Sequence, residues 1–196
     1  MQKRIETPVN DDAVRALRAG EAVLLSGVLY TARDAAHQRI VAALEAGAAL
    51  PFELAGQAIY YCGPAPTPPG RAIGSAGPTS SYRMDPYAPL LYSKGLKASI
   101  GKGDRDVSVR EACREFGGAY LVAVGGAGAL LADCVTEAEV VAYAALGPEA
   151  VRRLVVRDLP LIVAYDAHGR SVFPGDEALP GASGTSAPTP PHEAPS

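Results

Sequence analysis

Residues 77–85, GPTSSYRMD, set three consecutive hydroxyls, Thr79, Ser80 and Ser81, behind a Gly-Pro turn and place Arg83 two residues further on. A helix beginning here would offer unpaired N–H groups and the positive end of its dipole to an oxyanion. The hydroxyls would add to that grip, and Arg83 could hold a carboxylate in bidentate fashion. N-capping by Ser80 or Ser81 explains one hydroxyl with no ligand at all. Three hydroxyls and an arginine are more than a cap requires, so both readings stand at this point. Arg33, in TARDAAHQR, falls where a strand passes into a helix, the place where α/β folds commonly hold ligands. An ordinary surface arginine pairing with Asp34 or Asp12 would look the same. Lys102, in SIGKGDR, stands between two glycines. Glycines admit close approach of the backbone to a ligand and an ammonium holds an anion as a point charge, while a solvated turn lysine needs neither. His37 lies three and four residues before Ile40 and Val41, on an apolar helical face, which favours a packed, hydrogen-bonded imidazole over a catalytic one. Arg33, Arg83 and Lys102 together with the hydroxyls of 79–81 share one theme, the recognition of a di- or tricarboxylate.

Other chemistries find less support. Cys62, Cys113 and Cys134 are odd in number and widely spaced, with no C-x-x-C and no histidine at ligand spacing. They read as small buried hydrophobes in a reducing compartment, and this chain is expected to hold no metal of its own. GGAGAL lacks the third glycine of a dinucleotide fingerprint and the lysine of a phosphate loop, so a nucleotide-dependent α/β enzyme is only a rival reading. A net charge of −3 over 196 residues gives no basic field for counterion release on nucleic acid. Apolar runs such as AYLVAVGGAGALLA are broken by glycine and too short to span a bilayer, and MQKRIETPVNDD turns polar at once, unlike a signal peptide. A cytoplasmic protein with no nucleic-acid and no membrane partner is expected.

The elements that must position these residues alternate between strand and helix. NDDAVRALRAGE reads as a short amphipathic helix capped by Asn10 or Asp11, AVLLSGVLY as a strand, and TARDAAHQRIVAALEAG as a helix that Asp34 can cap. QAIYYCGP is a further strand, APTPPGRAIGSAGP a loop in which AIGSA could form a brief strand, and MDPYAPLLYSKG a helix. LKASIGKG reads as a strand, RDVSVREACREFGG as a helix, AYLVAV as a strand and EAEVVAY as another. GPEAVRRLVVRD reads as a helix with Pro148 near its first position, and PLIVAYDAHG as the last strand. The pattern predicts an α/β domain over residues 1–174. Residues 175–196, poor in large apolar groups, are expected to form a disordered Pro/Ser/Gly-rich tail.

SGVLYTARDAAHQR, IYYCGP, IGSAGPTSSYRMD, SIGKG and VVAYAALGPEAVRRLVVRDLPLIVAYDAHG, in that order, closely resemble the beta subunit of the iron–sulfur-dependent hydro-lyases, from about Thr7 to Phe173. That family includes class I fumarate hydratases and L-tartrate dehydratases, in which the same module can be the C-terminal domain of a longer chain. The resemblance implies a small swivelling-type β/β/α domain with helices packed on a mixed sheet. It also implies a hydro-lyase that adds water to, or removes it from, a hydroxy dicarboxylate, with fumarate to malate first and L-tartrate as the alternative. The family's 4Fe–4S cluster is held by the alpha subunit, so the implied partner is a cluster-bearing alpha chain in a hetero-oligomer, two alpha and two beta being one arrangement the family allows. By motif, Thr79 takes the place of the family's catalytic threonine and Ser80 that of a second, substrate-contacting threonine. Arg33, Arg83 and Lys102 match positions that bind substrate carboxylates, and Asp34 and His37 fall within the motif in orienting roles. A reading from another class is a non-catalytic carboxylate-binding or scaffold protein that kept the fold.

Overall fold

Strand-forming segments build one seven-stranded mixed sheet in the computed structural model, which describes residues 2–176 and Leu179. The strands are β1 (Lys3–Glu6), β2 (Ala22–Thr31), β3 (Ala58–Tyr60), β4 (Ala98–Gly101), β5 (Ala119–Val122), β6 (Val135–Ala142) and β7 (Val151–Tyr165). Five helices accompany them: α1 (Asp11–Arg15), α2 (Asp34–Glu45), α3 (Ala88–Ser93), α4 (Val107–Phe116) and α5 (Gly128–Asp133). The order is β1-β2-β3-β4-β5-β7-β6, with a further pairing of β2 to β7. Strands β1 to β5 run parallel, and β7 is antiparallel to β2, β5 and β6. Because β7 joins β5 on one stretch and β2 along most of its length, the strands β2-β3-β4-β5-β7 close into a ring.

Alternation along the strands sorts side chains into two cores. Ala58, Tyr60, Ile100, Leu121 and Val163 point into the ring with Leu25, Leu29 and Leu154. Ile59, Tyr61, Tyr120 and Tyr165 point the other way, against Ile40, Leu91 and Val109 of the covering helices α2, α3 and α4. This is the expected α/β arrangement, helices packed on a mixed sheet. Asn10 caps α1 by accepting the Ala13 N–H at 2.8 Å, and Asp106 caps α4 by accepting that of Ser108 at 2.9 Å.

Four local expectations are corrected. GPEAVRRLVVRD is not a helix: Ala144–Glu149 forms a 3₁₀ turn interrupted at Gly147, and Val151 begins β7. Asp34 does not cap α2, because Arg33 occupies that position without a side-chain bond and Asp34 is the first helical residue. MDPYAPLLYSKG is not one helix but a 3₁₀ turn, Ser81–Met84, followed by α3, with Pro86 between them and Pro89 in the first turn of α3. AIGSA forms no strand, and Ile73 and Ala76 pack into the ring core as loop residues. Asp176 pairs with Arg110 at 3.6 Å and Leu179 is buried against Gly169, while the rest of the tail expected from 175 onward lies outside the described residues.

Candidate active site at the carboxyl edge of the parallel strands

Strands β2 to β5 end at one edge of the sheet, where α/β folds bind ligands. Arg33 follows β2, Tyr61 to Gly63 follow β3, and Lys102 follows β4. The segment 78–83 is laid across these ends by backbone bonds. Pro78 bridges to Cys62, and the Thr79 N–H donates to Tyr61 O at 2.7 Å. Ser80 bridges to Lys102, and the Ser81 N–H donates to Lys102 O at 3.0 Å. In return the Lys102 N–H donates to Ser81 Oγ at 3.0 Å. Thr79 therefore sits over the end of β3, and Ser80 beside the lysine.

The three hydroxyls have separate fates. Ser81 is fully buried and neither it nor Ser80 caps the 3₁₀ turn, so the capping role expected for one of them is not observed. Ser81 is instead the clasp for Lys102. A side chain at residue 101 would strike Ser81 Oγ, which is why a glycine stands there. Thr79 and Ser80 stay partly exposed and the Lys102 side chain is exposed, so these three groups are free to meet a ligand.

Arg33 arrives from the end of β2 and Arg83 from the 3₁₀ turn. Arg83 Nη1 lies 3.2 Å from Asp34 Oδ2, and Arg33 Nε lies 3.8 Å from the same oxygen. Arg33 Nη2 also lies 3.3 Å from Glu149 Oε1. Asp34 thus joins the two guanidinium groups, and Asp34 and Glu149 offset charges that would otherwise repel across the site. Gly63 leaves the room that Arg33 Nη1 occupies. His37 is buried, with Nδ1 2.9 Å from Arg33 O, so Nδ1 carries the proton and Nε2 is left without a partner. Its ring packs edge-on to Tyr61 at 5.2 Å, and burial pulls its pKa down to about 4, which keeps the imidazole neutral.

The structure brings Arg33, Asp34 and Arg83 into one ion-pair cluster and Thr79, Ser80 and Lys102 into one backbone-bonded group along the same edge. His37 stands behind them as a support for Arg33. Sequence reasoning missed Glu149, which also accepts the Ala35 N–H at 3.2 Å and so serves the helix start that Arg33 cannot cap. The signal was hidden because its segment reads as a helix. The cysteines do not converge: Cys62 belongs to the ring core, Cys113 to the helix-side core, and Cys134 is half-buried at the end of α5. Burial pushes the thiols of Cys62 and Cys113 up to about 12, against thiolate ligation. Among the described residues no group of three His, Cys, Asp or Glu could hold a metal ion, so these residues do not fit an iron–sulfur cluster. No helix among them is long and apolar enough to cross a membrane.

Comparison with known proteins shows what the chain is similar to. The family model described as Fumarase C-terminus matches residues 2–175. Fumarate hydratase 2 of Leishmania major is 40% identical over 156 residues, covering 79% of this chain and 28% of that protein. The anaerobic class I fumarate hydratase of Escherichia coli K12 is 40% identical over 151 residues, covering 76% of this chain and 28% of that protein. The chain therefore spans under a third of the length of these two relatives. A candidate L(+)-tartrate dehydratase subunit beta of Methanocaldococcus jannaschii is 39% identical over 166 residues, covering 82% of this chain and 85% of that one.

Proposed function

Because the chain belongs to the fumarase C-terminus family, we propose that it supplies half of the active site of a hydro-lyase acting on a hydroxy dicarboxylate and its unsaturated partner. The observation that carries this reading is the convergence of Arg33, Arg83, Lys102, Thr79 and Ser80 on the ends of three consecutive parallel strands. Two guanidinium groups and an ammonium match the charge of a diacid, and the arginines offer the planar fork that carboxylates accept. Dehydration breaks the C–O bond at the hydroxyl-bearing carbon, whose oxygen departs as water, and the C–H bond at its neighbour, whose electron pair becomes the C=C bond, so a group on the protein must take that proton. In this reading Thr79 does so, Ser80 bonds a substrate carboxylate, and Asp34 and His37 keep Arg33 and Arg83 in place. An unassisted threonine hydroxyl is too weakly acidic to serve as a base. The cations carried on the same edge favour its alkoxide-like form, and further groups come from a partner.

That partner is a cluster-bearing alpha chain or domain, consistent with the subunit name of the Methanocaldococcus jannaschii relative and with the scattered cysteines of this chain. Fumarate and malate are the first substrates to test, in view of the fumarate hydratases among the relatives. L-Tartrate is the second, because the likeness to the tartrate dehydratase subunit runs over nearly all of that chain. Combining this chain with its alpha partner and a panel of hydroxy diacids, followed by absorbance of the unsaturated product, tests the proposal. Turnover is expected from the pair and not from either part. Full turnover by the isolated chain, or none by the pair with any diacid, would overturn it.

A further inference from the structure

Beneath the candidate site, the 3₁₀ turn and the lysine loop are joined by a buried guanidinium that the roles above leave unused. The Arg105 side chain is 0% exposed and pairs through Nε with Asp85, the last residue of the RMD motif. Its guanidinium carbon lies 5.1 Å from the ring centroid of Tyr61 and 5.0 Å from that of Tyr120, so two aromatic faces receive a charge that few polar groups reach. Nη2 has no hydrogen-bond partner. Asp85 Oδ2 accepts the Asp106 N–H at 2.8 Å, and the Tyr165 hydroxyl oxygen accepts the Arg105 N–H at 3.0 Å. The Tyr120 hydroxyl lies 2.8 Å from Gly103 O and 2.9 Å from Ser81 Oγ. The phenol O–H thus faces two acceptors, Gly103 O and Ser81 Oγ. Ser81 Oγ also accepts the Lys102 N–H. One chain of contacts thus runs from Asp85 through Arg105, Tyr120 and Ser81 to Lys102.

A buried ion pair is a poor source of stability compared with apolar side chains of the same volume, and an unpaired buried N–H adds to its cost. What this pair supplies is geometry, since it ties Asp85 at the end of the 3₁₀ turn to the loop that follows β4, while Tyr120, stacked on the same guanidinium, reaches Ser81 at its start. We propose that Arg105 is a positioning residue: held by Asp85 and between Tyr61 and Tyr120, it sets the register of the Lys102 loop against Thr79–Ser81 so that cation and hydroxyls meet one ligand. The proposal rests on the site reading given above.

Two variants test it, on the chain alone and on the complex with its alpha partner. Arg105→Met combined with Asp85→Leu removes the pair without leaving either charge buried, and Arg105→Lys keeps the charge but loses the planar fork. In the chain alone, amide hydrogen exchange at Ser81 and Lys102 should quicken about tenfold or more in the double variant and by an intermediate factor in the lysine variant. The amides of Ala119 and Val163, bonded to Lys97 O and Glu21 O at the far side of the sheet, should keep wild-type protection. In the complex, kcat for the diacid should fall about 100-fold per folded enzyme, since misplacement by an ångström costs that much. Wild-type exchange at residues 81 and 102, or wild-type kcat despite a lowered melting temperature, would overturn the proposal. If the double variant does not fold, the lysine variant decides by the same two readouts. If the wild-type complex turns over no diacid, the proposed function fails and the exchange result alone decides the role of Arg105.

Discussion

Arg83 reaches the candidate site from the 3₁₀ turn and makes an ion pair with Asp34 while about a third exposed, so little stability depends on it. Arg83→Ala in the assembled enzyme should raise KM for the diacid roughly 10- to 100-fold, the worth of a charged hydrogen bond, and leave the melting temperature nearly unchanged. Steady-state kinetics with a thermal melt reads both. His37 acts through burial. The folded protein holds the imidazole neutral down to about pH 4, whereas the unfolded chain takes up a proton near the ordinary value of 6.5. Between these two pH values the unfolded state binds more protons, so stability is fully present above pH 6.5 and falls as pH drops toward 4, by up to about 3 kcal/mol. His37→Gln, which cannot titrate, should show a shallower loss of urea stability between pH 6.5 and 4.5 than the wild type; equal slopes would contradict the assignment. At this scale much of the site was legible. Arg33 and Lys102 could be picked out by type and position beside strand ends, and Thr79, Ser80 and Arg83 as hydroxyls and an arginine at an expected helix start; the structure brings them to one edge. Glu149 could not, because its meeting with Arg33 depends on a turn 116 residues further along the chain, roughly the reach of β7 folding back on β2.

Among the elements, β7 shows where local pattern misleads. Val151, Leu154 and Val155 have the spacing of a helical face, and Ala, Glu, Arg and Leu around them are good helix formers. The segment is a strand because β2, β5 and β6 all pair with it, a non-local gain that outweighs propensity. The helices α1 and α4, by contrast, carry their own caps and were legible from Asn10 and from the apolar spacing of RDVSVREACREFGG. The end of β4 is the element most closely tied to the site. Gly101→Ala would push a methyl into Ser81 Oγ and against the Tyr61 ring, so the strand end or the 3₁₀ turn must move. The variant should lose about 1–3 kcal/mol in chemical denaturation and most of the complex's activity, whereas Gly103→Ala, with open space around it but a positive φ, should cost mainly backbone strain. Equal effects of the two substitutions would contradict the clasp between Ser81 and Lys102.

For the molecule as a whole, the closed ring of β2, β3, β4, β5 and β7 makes one rigid platform whose carboxyl edge carries three cations on a chain of net charge −3. A scaffold that merely kept the fold has no use for Arg33, Arg83, Lys102 and two partly exposed hydroxyls on one edge. Under the proposed function, a partner chain or domain completes the chemistry that this edge begins. The α/β class was legible from the alternation of strand and helix patterns, and the helices on a mixed sheet were implied by the family resemblance. The closure of the ring was not, because it depends on a strand whose local pattern reads as a helix. The central claim is that this chain provides the proton-transfer and carboxylate-gripping half of a shared active site. Thr79→Ala in the complex with the alpha partner tests it most directly, with turnover and co-purification measured side by side. The variant should assemble as the wild type does and lose turnover of the diacid; a wild-type rate in the intact complex would contradict the account.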